Sequence, residues 1–223
     1  AQASGYLLLA LDGFKRMPFL ASAKQASFRA FVVPGDRLDI SARRIHDGSD
    51  TLRLDPSVRP AVDAARAAVQ AIVRDGRVVY GVNTGFGKLA QTTIPAARLT
   101  ELQTNLVLSH SVGTGPLLPP RVVRLILALK AVGLARGHSG VRWEVIEALL
   151  AMANAGVLPC IPAKGSVGAS GDLAPLAHMS AALLGIGDVT INGRVAPAAE
   201  GLRVAGLAPF TLEPKEGLAL LNG

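Results

Sequence analysis

The sequence predicts a mainly α-helical chain with small strands and long glycine-rich loops. Half of its 223 residues are hydrophobic but only 4% are aromatic, and alanine and leucine dominate, which favours helices over a β-sandwich. Apolar residues recur at helical spacing in several segments, and glycines and prolines punctuate the chain between them. With only 17% charged residues the chain has enough apolar material for a sizeable core and is not of disordered composition.

Residues 1–27 read as an N-terminal extension that is appended or unstructured. Its apolar run Tyr6 to Leu11 precedes the basic residues, the reverse of an export signal. The domain proper is expected over 28–223. Residues 31–56 suggest a short strand (Phe31-Val32-Val33) and an irregular lead-in. Ser57 to Asp75 reads as a helix capped by Asp55 or Ser57, with Val58, Val62, Ala65, Val69, Ile72 and Val73 on one face and Gly76 closing it. A glycine-rich loop, Gly81-Val82-Asn83-Thr84-Gly85-Phe86-Gly87-Lys88, follows the apolar pair Val78-Val79.

A second helix is expected over Ala96–Ser111, with Leu99, Leu102, Gln103 and Leu106 inward, broken by Gly113 and Gly115. Pro119-Pro120 opens a third, up to Arg136, where proline in the first turn loses no hydrogen bond. Its residues are almost all apolar, so burial on most sides is expected. A fourth helix spans Val141–Ala155 before Gly156, a long loop spans 157–171, and a fifth helix runs from about Leu173 to Leu184 with Asp172 as its cap. Asn192-Gly193 within Val189–Val195 signals a small hairpin, and another helix begins near Leu218. The apolar ending Gly217 to Gly223 lacks a closing polar segment, so the chain reads as the N-terminal part of a longer protein.

Charge and composition narrow the function classes. The net charge is +7, but the basic residues are spread along helices in no run longer than Arg43-Arg44, which argues against nucleic-acid binding. Cys160 is the single cysteine, so no intrachain disulfide is possible and a reducing, cytoplasmic setting fits. His46, His110, His138 and His178 are scattered without ligand spacing, which disfavours a metal site. No apolar run reaches the length of a membrane span.

Two glycine-rich segments resist the common readings. In Gly81–Lys88 five residues separate Gly81 from Gly87, and Leu89 follows the lysine where a phosphate loop needs Ser or Thr. A plain turn, or a mobile segment carrying Tyr80 over a site, fits better. In Gly165–His178 the glycines at 165, 168 and 171 do not match the dinucleotide fingerprint, and Ser170 is followed directly by Gly171, unlike a hydrolase elbow.

The tripeptide Ala169-Ser170-Gly171 instead holds the atoms for an electrophile built from backbone. The Gly171 nitrogen, with no Cβ to hinder it, can attack the Ala169 carbonyl. Loss of the carbonyl oxygen and the Ser170 hydroxyl as two waters gives a methylidene-imidazolone ring. His110 beside Ser109, and Asn222 at a helix, are candidates for polar contacts; helix capping is the bland role for each.

Four stretches in this order, Tyr80–Gly87, Asn105–Ser111, Gly165–His178 and Ala219–Gly223, resemble the histidine ammonia-lyase family within the aromatic amino-acid ammonia-lyases. The resemblance covers about residues 31–223. It implies the N-terminal part of the helical, aspartase/fumarase-like ammonia-lyase fold, a homotetramer, and L-histidine converted to urocanate and ammonia. The electrophile would be the ring from Ala169, Ser170 and Gly171, with no external cofactor and no metal. By resemblance Tyr80 is the lid residue and proton acceptor, which needs a phenol pKa below its usual value near 10. His110 and Ser109 contact the substrate, and Asn222 bonds near the ring or the substrate carboxylate.

Relatives acting on phenylalanine carry a Phe-Leu pair and those acting on tyrosine a His-Leu pair where this chain has Ser109-His110. The polar pair suits an imidazole. A tyrosine or phenylalanine ammonia-lyase, an aminomutase, or an inactive fragment needing a separate C-terminal chain are the alternatives.

Overall fold

The computed structural model describes residues 51–166 and 173–222. The extension 1–27, the strand expected near Phe31, the tripeptide Ala169-Ser170-Gly171 and the cap expected at Asp172 lie outside the described residues. Apart from Thr51, the described elements fall in one unit, Leu52–Gly223.

Local signals set the first helices. The Asp55 side chain accepts from the Ser57 amide at 2.9 Å and starts a 3₁₀ turn, Pro56–Val58, which runs into helix α1, Arg59–Arg74. That hydrogen bond holds the Asp55 carboxyl below its usual pKa. Val62, Arg66 and Val69 form the buried face of α1, and Gly76 follows at φ 66°. Another 3₁₀ turn, Ala96–Arg98, leads into α2, Leu99–His110, which buries Leu99, Gln103, Leu106 and Val107.

Helices α3, Pro120–Ala135, and α4, Trp143–Asn154, form the centre of the core. Val123, Leu127, Ala131 and Leu134 recur every three or four residues along α3 and face inward. On α4, Val145, Ile146, Leu149 and Met152 are fully buried. The expectation that α3 is buried on most sides is corrected: Leu129 and Val132 stay about half exposed. An apolar composition does not say how many faces have partners.

The segment expected as one long loop from 157 is corrected too. It holds β2, Val157–Pro159, and β3, Pro162–Lys164. Strand β3 pairs antiparallel with β1, Thr114–Leu117, in a register that shifts between Thr114 and Leu117. Strand β2 is the outer member of a sheet of order β2-β4-β5, with β4 Asp188–Ile191 and β5 Arg194–Pro197. The β4–β5 turn is the expected hairpin, with both Asn192 (φ 50°) and Gly193 (φ 79°) in the left-handed region.

Between β3 and β4 lies α5, Leu173–Leu183, buried along most of its length. An unanticipated helix, α6, Ala198–Val204, rides on this sheet at Gly201, where a Cβ would come within 2.5 Å of Val189 Cγ2. The last element, α7, Glu216–Leu221, starts after Lys215 at φ 73°. Its first residue, Glu216, is completely buried. One carboxylate oxygen accepts from the Arg142 amide (3.0 Å) and Nε (2.9 Å), the other from Arg142 Nη2 (2.7 Å) and the Glu213 amide (2.8 Å). Arg66 of α1 pairs with Glu213 from the other side.

Candidate active site

The turn carrying Tyr80 is rigidly built. The Asn83 side chain accepts from the Val79 amide at 2.9 Å and donates to the Arg77 carbonyl at 2.8 Å. The Asn83 carbonyl and Gly85 amide are tied to Ile94 and Thr92, so residues 81–85 are buried rather than a loose surface turn. Gly81 sits at φ 75°, and a Cβ there would meet Leu218 Cδ2 of α7 at 2.3 Å. The positive φ favours glycine, and any Cβ would have to displace the Leu218 methyl. Tyr80 itself projects from this base, 59% exposed, with its ring edge-on to Phe86 at 5.9 Å.

His110 ends α2. Its Nδ1 lies 2.8 Å from the Leu106 carbonyl and 3.2 Å from Ser109 Oγ, and Ser109 Oγ donates to the same carbonyl at 3.1 Å. A carbonyl only accepts, so Nδ1 carries the proton and, in the neutral ring, Nε2 is the acceptor. The Ser109 hydroxyl is thus engaged on its own helix and helps to fix the His110 ring.

Asn222 ends α7. Its amide and its side-chain Nδ2 both donate to the Leu218 carbonyl, at 3.2 and 2.9 Å. Lys130 of α3 donates from Nζ to the Asn222 main-chain carbonyl. Helices α2, α5 and α7 pack on one another, so the elements bearing His110 and Asn222 meet the helix that follows the tripeptide. Among the described residues no hydrogen bond joins Tyr80, His110 and Asn222 to each other.

The tripeptide lies outside the described residues, but both flanks of its segment converge on one point. A Cβ on Gly165 would lie 3.0 Å from Ala174 Cβ and 3.1 Å from Gly113 Cα. Gly113, three residues beyond His110, also donates its amide to His178 Nε2 of α5 at 3.0 Å. The ends of the segment are therefore pinched together beside the end of α2.

His178, Gln103 and Lys130 were not among the sequence candidates. Gln103 Oε1 accepts from the Leu218 amide at 3.3 Å and links α2 to α7, while its Nε2 is buried without a partner among the described residues. Lys130 had a signal: it is the single charged residue in the apolar stretch Leu125–Ala135.

His178 carries a pH prediction. Accepting at Nε2 requires the neutral ring, and burial holds its pKa below 6.5. A depressed folded pKa means the unfolded chain binds the proton first. The stabilisation is therefore complete above pH 6.5 and is lost as pH falls through the lower folded value. In urea denaturation, His178→Gln is expected to flatten this acid limb; an unchanged slope would remove His178 as its source.

Among the described residues no cluster of His, Cys, Asp and Glu is placed to hold a metal ion, and no helix is long and apolar enough to cross a membrane.

Comparison with known proteins adds the following. The sequence pattern of the family described as aromatic amino acid lyase matches residues 40–223. A histidine ammonia-lyase from Aromatoleum aromaticum is 60% identical over 191 residues, 85% of this chain and 36% of that protein. Among solved structures, a histidine ammonia-lyase from Trypanosoma cruzi superposes with a TM-score of 0.71 at 42% identity, covering 79% of this chain and 34% of that one. A phenylalanine aminomutase from Pantoea agglomerans does so with a TM-score of 0.72 at 34% identity, covering 78% and 33%. The chain spans about a third of the length of these relatives.

Proposed function

The chain belongs to the aromatic amino acid lyase family, and from that premise we propose that it forms part of a histidine ammonia-lyase, which converts L-histidine to urocanate and ammonia without oxidation. The observation that carries the reading is the convergence at Gly113. The residues flanking Ala169-Ser170-Gly171 are held together there, three positions from His110.

The residues fit the internal electrophile. Ala169 and Gly171 are the small residues that cyclisation needs, and Ser170 supplies the carbon left after dehydration. Gly165 and Ala174, on either side of the tripeptide, lie in close approach. Once formed, the methylidene-imidazolone supplies an electron sink, so no external cofactor is required.

The remaining residues bind and move protons. His110, its Nδ1 committed to Leu106, presents Nε2 as an acceptor for the N–H of a substrate imidazole. That acceptor finds no donor on a phenyl ring, which favours histidine over phenylalanine. Ser109 keeps the His110 ring in this orientation. Tyr80, on a buried base but exposed itself, is free to reach over the substrate and take its β-proton. Asn222, at the end of a helix packed on α2 and α5, hydrogen-bonds the substrate carboxylate or the ring.

A homotetramer in the cytoplasm is the setting in which this site works, with the active sites shared between subunits. The test is urocanate absorbance from the full-length gene product supplied with L-histidine, tyrosine or phenylalanine. Urocanate from histidine is expected; turnover of tyrosine or phenylalanine in its place would overturn the substrate assignment.

A further inference from the structure

We propose that Lys130 is a positioning residue that holds the carbonyl end of α7, and with it Asn222, in place for the site; this rests on the reading that Asn222 serves the lyase reaction.

Lys130 reaches out of an apolar stretch of α3 to donate its Nζ to the main-chain carbonyl of Asn222, 92 residues away. Helix α7 has only six residues, too few to be stable by itself, and its last backbone groups depend on such contacts. Asn222 occupies the closing position, with its side chain turned back onto Leu218. An ammonium at this end also complements the negative pole of the helix.

No carboxylate among the described residues pairs with Lys130. Burial pushes its pKa down to about 8. Holding the cation there opposes folding, so its retention is not explained by stability. The sign separates the two roles. Removing a structural lysine destabilises the fold, whereas removing a positioning lysine of this kind stabilises the fold as a whole while loosening one helix end.

The experiment compares Lys130→Met and Lys130→Arg with the wild-type full-length gene product. In Lys130→Met the melting temperature at pH 7 is expected to rise, while amide exchange at Leu220–Asn222 accelerates by about tenfold or more through local opening. Turnover of L-histidine is expected to fall by roughly 10- to 100-fold, the penalty of a misplaced contact group. Lys130→Arg, which keeps charge and donors, is expected to restore both exchange and turnover. Unchanged exchange at these amides in Lys130→Met would overturn the proposal, whatever the activity does. If the wild type yields no urocanate, the functional reading fails separately and the exchange measurement alone decides the role of Lys130.

Discussion

Serine-to-alanine replacement at Ser170 is expected to lower urocanate formation by the full-length gene product by at least about 10³-fold, the scale on which covalent machinery is lost. The argument is one of atoms. The methylidene carbon can only come from the Ser170 side chain after its hydroxyl leaves, and alanine has no hydroxyl to lose. Histidine deamination needs an electron sink because the β-proton is barely acidic and the amine leaves poorly. In the roles proposed for them, His110, Asn222 and Tyr80 orient substrate and accept a proton but cannot provide that sink. Intact mass supplies a second readout. The wild-type product should weigh two waters less than its sequence, and the S170A product should not show this deficit. Turnover by S170A near the wild-type rate, or an active wild type at full sequence mass, would sink the assignment.

The second large effect is on stability. Glu216→Ala is expected to destabilise the fold by about 3–5 kcal/mol, because it removes the fully buried carboxylate and leaves Arg142 only the longer pairing with Glu213 at 3.5 Å and its bond to the Thr211 carbonyl. For a chain of this size that corresponds to a melting temperature lower by roughly 6–20 °C. Two amides, Arg142 and Glu213, lose their acceptor in the same step. Replacing Arg142 and Glu216 together by apolar residues should cost less than removing Glu216 alone, since no unpaired charge is left. Thermal melts of the three variants check this. A loss below about 1 kcal/mol for Glu216→Ala would place the pair among weak surface bridges and refute the buried clamp.

Much of this architecture was legible where the signal is local. Asp55 caps the first helical turn because a carboxylate two residues before an amide can accept from it, a relation visible in sequence. Asn192-Gly193 formed the hairpin turn because those residue types tolerate positive φ. Pro120 and Gly76 marked helix limits for similar reasons. Strands β2 and β3 were missed because three residues are too few to show an alternation. Their identity depends on partners far along the chain, β4 and β1. Helix α6 escaped because seven residues after a proline carry little periodic signal.

The candidate site divides in the same way. The expectation at Tyr80, Ser109, His110, the tripeptide and Asn222 came from four ordered stretches that resemble a family. Gln103, His178 and Lys130 act through single contacts to residues 115, 65 and 92 positions away. Spacing along the chain says nothing about contacts of that kind.

Helix α7 is pinned at its first residue by Arg142 and at its end by Lys130, both contributed by segments folded around α3 and α4. Loop closures of that length are entropically late events. The expected order of assembly is that α7, packed on α2 and α5, docks late, and that its docking brings Asn222 to its place. Changes at Glu216 or Lys130 should then register in the unfolding rate and leave the folding rate almost untouched. The placing of Asn222 would thus be coupled to the completion of the helices on which α7 rests.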